Sequence, residues 1–274
     1  MNRPKYFLTF VCAALGAALA FVSSTATVRA DDDAKPIRAL LICGGCCHDY
    51  AKQKDIITQG ISQRTNVDWT IAYDPSTTTK HLNPIYKNPD WSKGYDVVVH
   101  DECTSDMKDL KMIDRILKPH REGLPAVVLH CGMHCYRSKG FPGVTPWFEF
   151  TGMQSTGHGK QLPIEIHFLE PKGEITRPLT DWTTIHEELY NNSAGHPLKT
   201  AHPLATGAQG SDKTIVVWTN RYGKNRTKVF CTTLGHNDET TADPRYLDLV
   251  TRGLLWSVGK LDAAHLKTPA SPSK

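Results

Sequence analysis

The apolar stretch Ile37-Arg-Ala-Leu-Leu-Ile-Cys43 runs directly into Gly44-Gly45, and a second stretch, Leu124-Pro-Ala-Val-Val-Leu-His130, ends on a histidine. Short runs rich in branched residues and closed by glycine or a polar residue are typical of buried strands. Residues 95–100 form another such run, and segments with helical spacing lie between the runs. This alternation predicts a doubly wound α/β fold of flavodoxin-like type, with a mostly parallel sheet covered on both faces.

The second half of the chain has a different pattern. Residues 163–168 alternate between apolar and polar, as a half-buried strand does. Residues 214–218 and 228–233 are apolar runs joined by a turn-like segment, which predicts a hairpin. Residues 246–258 have the spacing of an amphipathic helix. We find no linker between residues 37 and 260, so the sequence predicts one domain over residues 31–260.

The first thirty residues have the layout of a secretory signal peptide. Arg3 and Lys5 precede an apolar run over residues 7–22, and Val28-Arg29-Ala30 offers a cleavage site. We therefore expect a signal peptide over residues 1–30 and an exported protein, periplasmic or extracellular, with no membrane contact after cleavage. An uncleaved anchor is the alternative, although the run is short for a span.

Composition restricts the partners. The formal net charge of +4 falls to about +1 when the three cations of the signal leave, and no basic stripe remains, so nucleic acid is not an expected partner. Residues 261–274 are rich in Pro, Ser, Ala and Lys and are predicted to be a disordered tail. Nothing in the sequence specifies an oligomeric state.

Seven cysteines follow the predicted signal, and they lie at or just after predicted strands rather than in a loop-spread disulfide framework. Cys43 and Cys231 are interpreted as small buried hydrophobic residues. The others lie mostly beside histidines. A redox or metal-handling role for Cys46, Cys47, Cys131 and Cys135 is therefore one open hypothesis.

Histidines collect in five short segments, several of which follow predicted strands: Gly-Cys-Cys-His48-Asp-Tyr50, His130-Cys-Gly-Met-His134, Gly-His158-Gly, His186-Glu-Glu188-Leu-Tyr190 and Leu-Gly-His236-Asn-Asp-Glu239. The carboxyl ends of parallel strands form the ligand-binding edge of such a fold. Imidazoles gathered there indicate metal binding or acid–base chemistry. We expect the remaining loop histidines to be exposed: His81, His120, His196, His202 and His265.

Several motifs in order resemble the trehalose-utilisation protein A-like (ThuA-like) family, whose fold is that of class I glutamine amidotransferases. The resemblance covers roughly residues 37–260 and rests on Gly45-x-x-His48-x-Tyr50, Val-Val-Leu-His130-x-Gly132, Trp147-x-Glu149-Phe-x-Gly152, Gly157-His158, Glu187-Glu188-Leu189-Tyr190, Val217-Trp218 and Leu-Gly-His236. It implies a role in carbohydrate catabolism with a small-molecule carbohydrate as partner.

The comparison with the amidotransferases fails at one residue. Those enzymes place a nucleophilic cysteine at a tight turn after a strand, whereas His130 stands there in this sequence and Cys131 comes one place later. Gly235-His236 resembles the segment that supplies their base. A thiolate intermediate and glutaminase activity are therefore not expected.

The site residues follow from these segments. His130, His236 and Glu188 are the predicted catalytic residues, and His48, His130 and His236 the predicted ligands of a divalent metal, with zinc favoured. An acid–base pair without metal remains the alternative. The residues predicted to bind substrate are His48, Tyr50, Trp147, His158 and Tyr190. No G-x-G-x-x-G or P-loop pattern follows Gly44-Gly45, so no nucleotide is expected.

Two functions compete. The first is a metal-assisted hydrolase, lyase or isomerase acting on a sugar or keto-glycoside. The second is a non-catalytic exported module that binds a carbohydrate or a partner. Convergence of the histidine segments favours the enzyme, and their dispersal favours the binding module.

Overall fold

A computed structural model describes residue 1 and residues 35–191 and 197–267. The strands are β1 (Ile37–Gly45), β2 (Val67–Asp74), β3 (Val97–Cys103), β4 (Ala126–Leu129), β5 (His158–Leu162), β6 (Glu165–Phe168), β7 (Trp182–Thr183), β8 (Glu187–Tyr190), β9 (Ala201–Gln209), β10 (Asp212–Tyr222) and β11 (Thr227–Thr232). The α-helices are α1 (Tyr50–Ser62), α2 (Leu110–Arg121), α3 (Pro146–Thr151), α4 (Asp238–Thr241) and α5 (Pro244–Ser257). Two 3₁₀ turns span Pro84–Lys87 and His130–His134.

The central sheet has nine strands in the order β2-β1-β3-β4-β11-β10-β9-β6-β7. The first five strands of this order, from β2 at the edge to β11, run parallel to one another. The remaining four, from β10 to β7, each pair antiparallel with the strand before them in the order. The α/β fold class is confirmed, as is the β10–β11 hairpin. A separate two-stranded sheet pairs β5 with β8. The parallel half brings the carboxyl ends of β1, β3, β4 and β11 to one edge.

Each face of the sheet packs its own apolar layer. In β1, Leu41 belongs to the layer with α1 and α5, and Leu40 to the layer with α2 and α3. Both side chains are fully buried. Each such burial stabilises the fold by about 1.5–3 kcal/mol, which explains why both residues of an adjacent pair are apolar in a strand covered on both sides.

The helix between β3 and β4 begins at Leu110, because the Asp109 side chain accepts hydrogen bonds from the Lys111 and Met112 amides and caps it there. His120, expected to be exposed, is fully buried at the end of α2. Its Nδ1 donates to the Leu124 carbonyl at 2.8 Å, and its Nε2 lies 3.1 Å from His100 Nε2.

The predicted tail begins too early. The Lys267 amide donates to the Arg64 carbonyl at 2.7 Å, and Leu261 and Leu266 pack against the core. Residues 261–267 therefore belong to the fold, and residues 268–274 lie outside the described part. The predicted signal peptide and His196 also fall outside it, apart from Met1. Among residues 35–191 and 197–267, no helix is long and apolar enough to cross a membrane.

Candidate functional site

Three histidines from distant parts of the chain meet at the carboxyl edge of the sheet. His48 follows β1, His130 follows β4 directly, and His236 follows β11. One ring nitrogen from each lies within 4.8 Å of those of the other two. The ring centroid of His48 is 4.7 Å from those of both His130 and His236. The predicted convergence of these residues is therefore present.

His130 occupies the turn that ends β4, with a backbone φ of 39°. Its side chain is only 2% exposed, and its Nδ1 lies 2.6 Å from the Thr233 carbonyl oxygen. Because a carbonyl only accepts, Nδ1 must carry a proton, and in the neutral ring Nε2 presents a lone pair to the site. The Tyr190 hydroxyl, 3.1 Å away, donates to this Nε2.

His48 is held in a similar way. Its Nδ1 lies 3.4 Å from the His236 carbonyl oxygen, to which it donates, so its Nε2 is also left with a lone pair. Burial lowers the pKa of His48 to about 2, aided by the neighbouring imidazoles of His130 and His236. His48 is therefore neutral, which is the form that binds a metal ion.

A carboxylate from β8 faces the histidines. Glu188 Oε2 lies 3.6 Å from His130 Nε2, 3.5 Å from His158 Nε2 and 3.3 Å from His236 Nδ1. Burial acts to raise the pKa of Glu188, but the contacts with His130 and His236 outweigh it and hold the pKa well below its usual value. Glu188 is consequently ionised and can only accept protons or hydrogen bonds.

His236 differs from the other two histidines because both of its ring nitrogens face polar partners. Nδ1 faces Glu188, and Nε2 lies 2.8 Å from Gln161 Nε2. Burial acts to lower the pKa of His236, but Glu188 and the charge of Glu187 raise it above its usual value. Of the three imidazoles, His236 is thus the one suited to carry a proton in acid–base chemistry, and it would have to release that proton to bind a metal.

Sequence reasoning missed three positioning residues: Glu187, Gln161 and Gln53. Glu187 is fully buried, and its carboxylate accepts hydrogen bonds from the backbone amides of Gly235, His236 and Asn237. Gln161 Nε2 also approaches Glu188 Oε1 at 3.5 Å, and Gln53 Nε2 donates to the His236 carbonyl at 3.0 Å. Adjacent glutamates in a strand point to opposite sides, a signal that would have assigned Glu187 a role separate from that of Glu188.

The residues predicted to bind substrate lie at different depths. His158 is on β5 with its side chain 39% exposed, at the open side of the site. Tyr190 is buried, stacked on His134 with ring centroids 4.0 Å apart. Tyr50 is buried edge-on to His48. Trp147 is 1% exposed and donates from its indole to the Gly132 carbonyl, so it supports the turn from behind.

Comparison with known families agrees with this architecture. The family model "ThuA: Trehalose utilisation" matches residues 38–257. The chain belongs to the ThuA family. The resemblance drawn from the sequence motifs is confirmed. No curated protein sequence matches the chain.

Solved structures extend the comparison of the ThuA fold. A ThuA-like protein from Parabacteroides merdae is 19% identical with a TM-score of 0.63, covering 87% of this chain and 94% of its own. One from Bacteroides uniformis is 15% identical with a TM-score of 0.59, covering 85% and 96%. A glutamine amidotransferase from Thermotoga maritima also matches, with 12% identity and a TM-score of 0.42 over 82% and 96%. At these identities the likeness to the two ThuA-like proteins shows the fold alone.

Proposed function

We propose that this ThuA-family protein is a metal-assisted enzyme of carbohydrate catabolism, a hydrolase, lyase or isomerase that acts on a sugar or keto-glycoside. The observation that carries the proposal is the convergence of His48, His130 and His236 on one point, with the Glu188 carboxylate beside them. The family description, trehalose utilisation, supports a substrate derived from a disaccharide.

The donor set fits a divalent metal. Histidines that bind metals usually donate their other ring N–H to a carbonyl or carboxylate, as His48 and His130 do here. Zinc holds nitrogens at about 2.0–2.1 Å in tetrahedral geometry, so two ligand atoms of one ion lie about 3.4 Å apart. A pair at the 4.8 Å limit would close by about 1.4 Å on binding, which side-chain rotation can supply.

The residues have separate roles in this proposal. His48, His130 and His236 would hold the ion, which supplies a Lewis acid for a substrate carbonyl or for a water molecule. Glu188, ionised and 9% exposed, accepts a proton from the substrate or from water. His158 Nε2, 3.5 Å from Glu188 and partly exposed, can pass that proton to solvent. The Tyr190 hydroxyl, which donates to His130 Nε2, would give up that nitrogen to the ion.

Glutaminase activity does not fit this site. His130 occupies the position of the amidotransferase cysteine, and Cys131 is 6% exposed with its Sγ 2.7 Å from Cys103 Sγ. A thiol this deeply buried is poorly placed to act as the acyl acceptor of a substrate bound at the opening. This supports chemistry based on imidazole and carboxylate.

Elemental analysis of the purified protein tests the proposal. Near-stoichiometric zinc, manganese or nickel should be present in the wild type, lost in His130→Ala and His236→Ala, and kept in His202→Ala. His202 is an exposed histidine paired with Glu170 outside the site, which makes it the matched control.

The outcomes separate the alternatives. No metal in any form, even after reconstitution, would overturn metal assistance and leave Glu188 and His236 as a metal-free acid–base pair. A metal-loaded protein that binds keto-glycosides without converting them would instead identify a binding module. Circular dichroism of each variant checks that the fold is retained.

A further inference from the structure

A line of four cysteine sulfurs runs from the protein surface to the interior beside the histidine site. Cys46 and Cys47 form a disulfide in the loop after β1. Cys103 Sγ lies 3.5 Å from Cys46 Sγ and 2.7 Å from Cys131 Sγ. Cys103 and Cys131 are free thiols. The disulfide immediately precedes His48, and Cys131 immediately follows His130.

The strand pairing fixes this line. Gly45, the last residue of β1, is in register with Cys103, the last residue of β3. A Cβ at Gly45 would lie 2.2 Å from the Cys103 carbonyl oxygen, so only glycine permits this close approach. Cys46 is thereby held at contact distance from Cys103.

Access to solvent differs along the line. Cys47 is exposed and Cys46 half-buried, whereas Cys103 and Cys131 are 4% and 6% exposed. Reagents in solution therefore reach the line at Cys47. The buried thiols of Cys103 and Cys131 contact other cysteine sulfurs instead of solvent.

We propose that these four cysteines form a disulfide-exchange relay, in which one disulfide moves between the solvent-facing Cys46–Cys47 pair and the buried Cys103–Cys131 pair. Exchange requires a thiolate close enough to attack a sulfur of an existing disulfide. Cys103 Sγ is in contact with Cys46 Sγ of the disulfide, and Cys131 Sγ is in contact with Cys103 Sγ.

The relay needs no external oxidant. In the first step Cys103 loses its proton and bonds to Cys46 Sγ, while the Cys46–Cys47 bond breaks and Cys47 leaves and takes up a proton from water. In the second step Cys131 loses its proton and bonds to Cys103 Sγ, and Cys46 leaves and is protonated. One disulfide and two thiols are present before and after.

A metal site is the weaker interpretation of the same atoms. The sulfurs of Cys46, Cys47 and Cys103 lie within 4.8 Å of one another, but thiolates are what metals bind, and the disulfide removes two of them. The inference rests on the sulfur positions alone. Its failure would leave the proposed histidine metal site untouched, and loss of that metal site would leave the relay intact.

Disulfide mapping of the native protein tests the relay. Protein purified without reductant is incubated at neutral pH for hours, because burial disfavours the thiolate. It is then quenched with acid, alkylated and mapped by mass spectrometry. The wild type should contain both the Cys46–Cys47 and the Cys103–Cys131 linkage. Cys131→Ser should accumulate a Cys46–Cys103 cross-link, and Cys103→Ser should keep Cys46–Cys47 alone.

Cys231→Ser is the matched control, because Cys231 is another buried thiol, whose nearest polar partner is the Thr151 carbonyl. It should map as the wild type does. The relay is overturned if the wild type retains Cys46–Cys47 as its sole linkage after days, or if Cys103 linkages arise only in urea. Single molecules that contain both the Cys46–Cys47 and the Cys103–Cys131 disulfide, with no Cys46–Cys103 linkage in any variant, would also count against exchange. The wild-type map decides the matter even if a variant fails to fold.

Discussion

Glu187 Oε1 accepts a hydrogen bond from the backbone amide of His236 at 3.0 Å, across 49 residues of sequence. The same carboxylate also accepts from the amides on either side of His236. The neighbouring Glu188 faces the His236 ring instead. Two adjacent glutamates therefore fix the main chain and the side chain of one histidine.

Replacing Glu187 tests its positioning role. Glu187→Gln removes the charge that three amides share, and hydrogen bonds to charged groups contribute about 1.5–3 kcal/mol. We expect a loss of that size in the free energy of unfolding, measured with urea. Zinc affinity, measured by competition with a chelator, should fall about 10- to 100-fold, as for other residues that orient a ligand. Glu239→Gln, at an exposed site, is the control; unchanged zinc affinity in Glu187→Gln would refute the role.

Two substitutions at Tyr190 separate its hydroxyl from its ring. Tyr190→Phe removes the donor to His130 Nε2 and frees that lone pair, so zinc affinity should hold or rise. Tyr190→Ala also removes the ring stacked on His134 and should cost about 3–5 kcal/mol of stability, as other aromatic truncations in cores do. If Tyr190→Phe instead bound zinc more weakly without losing stability, the expectation would be wrong and the hydroxyl would support metal binding.

The buried His100–His120 pair should be structural. His120→Leu leaves the Leu124 carbonyl and His100 Nε2 without their partner, and each unsatisfied buried group costs about 1–3 kcal/mol. Urea unfolding should therefore show a loss of about 2–6 kcal/mol for the two groups together. His202→Leu breaks only an exposed pair with Glu170 and should change stability by less than about 1 kcal/mol. Equal effects in the two variants would contradict this assignment.

Asp101 should make stability depend on pH. Burial and the neighbouring charge of Glu102 raise the pKa of Asp101 from 3.8 to about 7. Between pH 3.8 and about pH 7, Asp101 is ionised in the unfolded chain and protonated in the folded one. The free energy of unfolding therefore falls as the pH rises through this range. A shift of about three pH units corresponds to roughly 4 kcal/mol.

Asp101→Asn removes this dependence. Relative to the variant, the wild type should lose up to about 4 kcal/mol in the free energy of unfolding between pH 4 and pH 7. Urea unfolding at several pH values measures the difference. Asp68→Asn changes an exposed carboxylate on β2 and is the control. A difference between the wild type and Asp101→Asn that stays constant with pH would show that Asp101 is ionised in the folded protein.

Strands β1, β3 and β4 were predictable because they are buried on both faces and begin with runs of apolar residues. Strands β5 and β9 were not. His158–Leu162 is exposed at every position, and Ala201–Gln209 carries Pro203 and Gly207. Strand β5 forms because it pairs with β8, and β9 forms because it pairs with β10 and β6. Pairing of this kind leaves no periodicity in the sequence.

The site was predictable to the extent that strand ends determine position. His48, His130 and His236 follow parallel strands and meet as expected. The depth of Trp147 was not predictable, because an indole has the same sequence signal whether it lines an opening or supports a turn. The hydrogen bond to Gly132 that settles the question joins segments whose proximity only the folded chain establishes.

His48 and His236 stand 188 residues apart, so an ion held between them would close a loop comprising most of the domain. Such a cross-link forms only after β1, β4 and β11 have aligned, which places metal capture at the end of folding. Once formed, it resists separation of β1 and β11, the first and the last strand along the chain. A chelator would then act on the whole domain, and metal content would report how much of a preparation is completely folded.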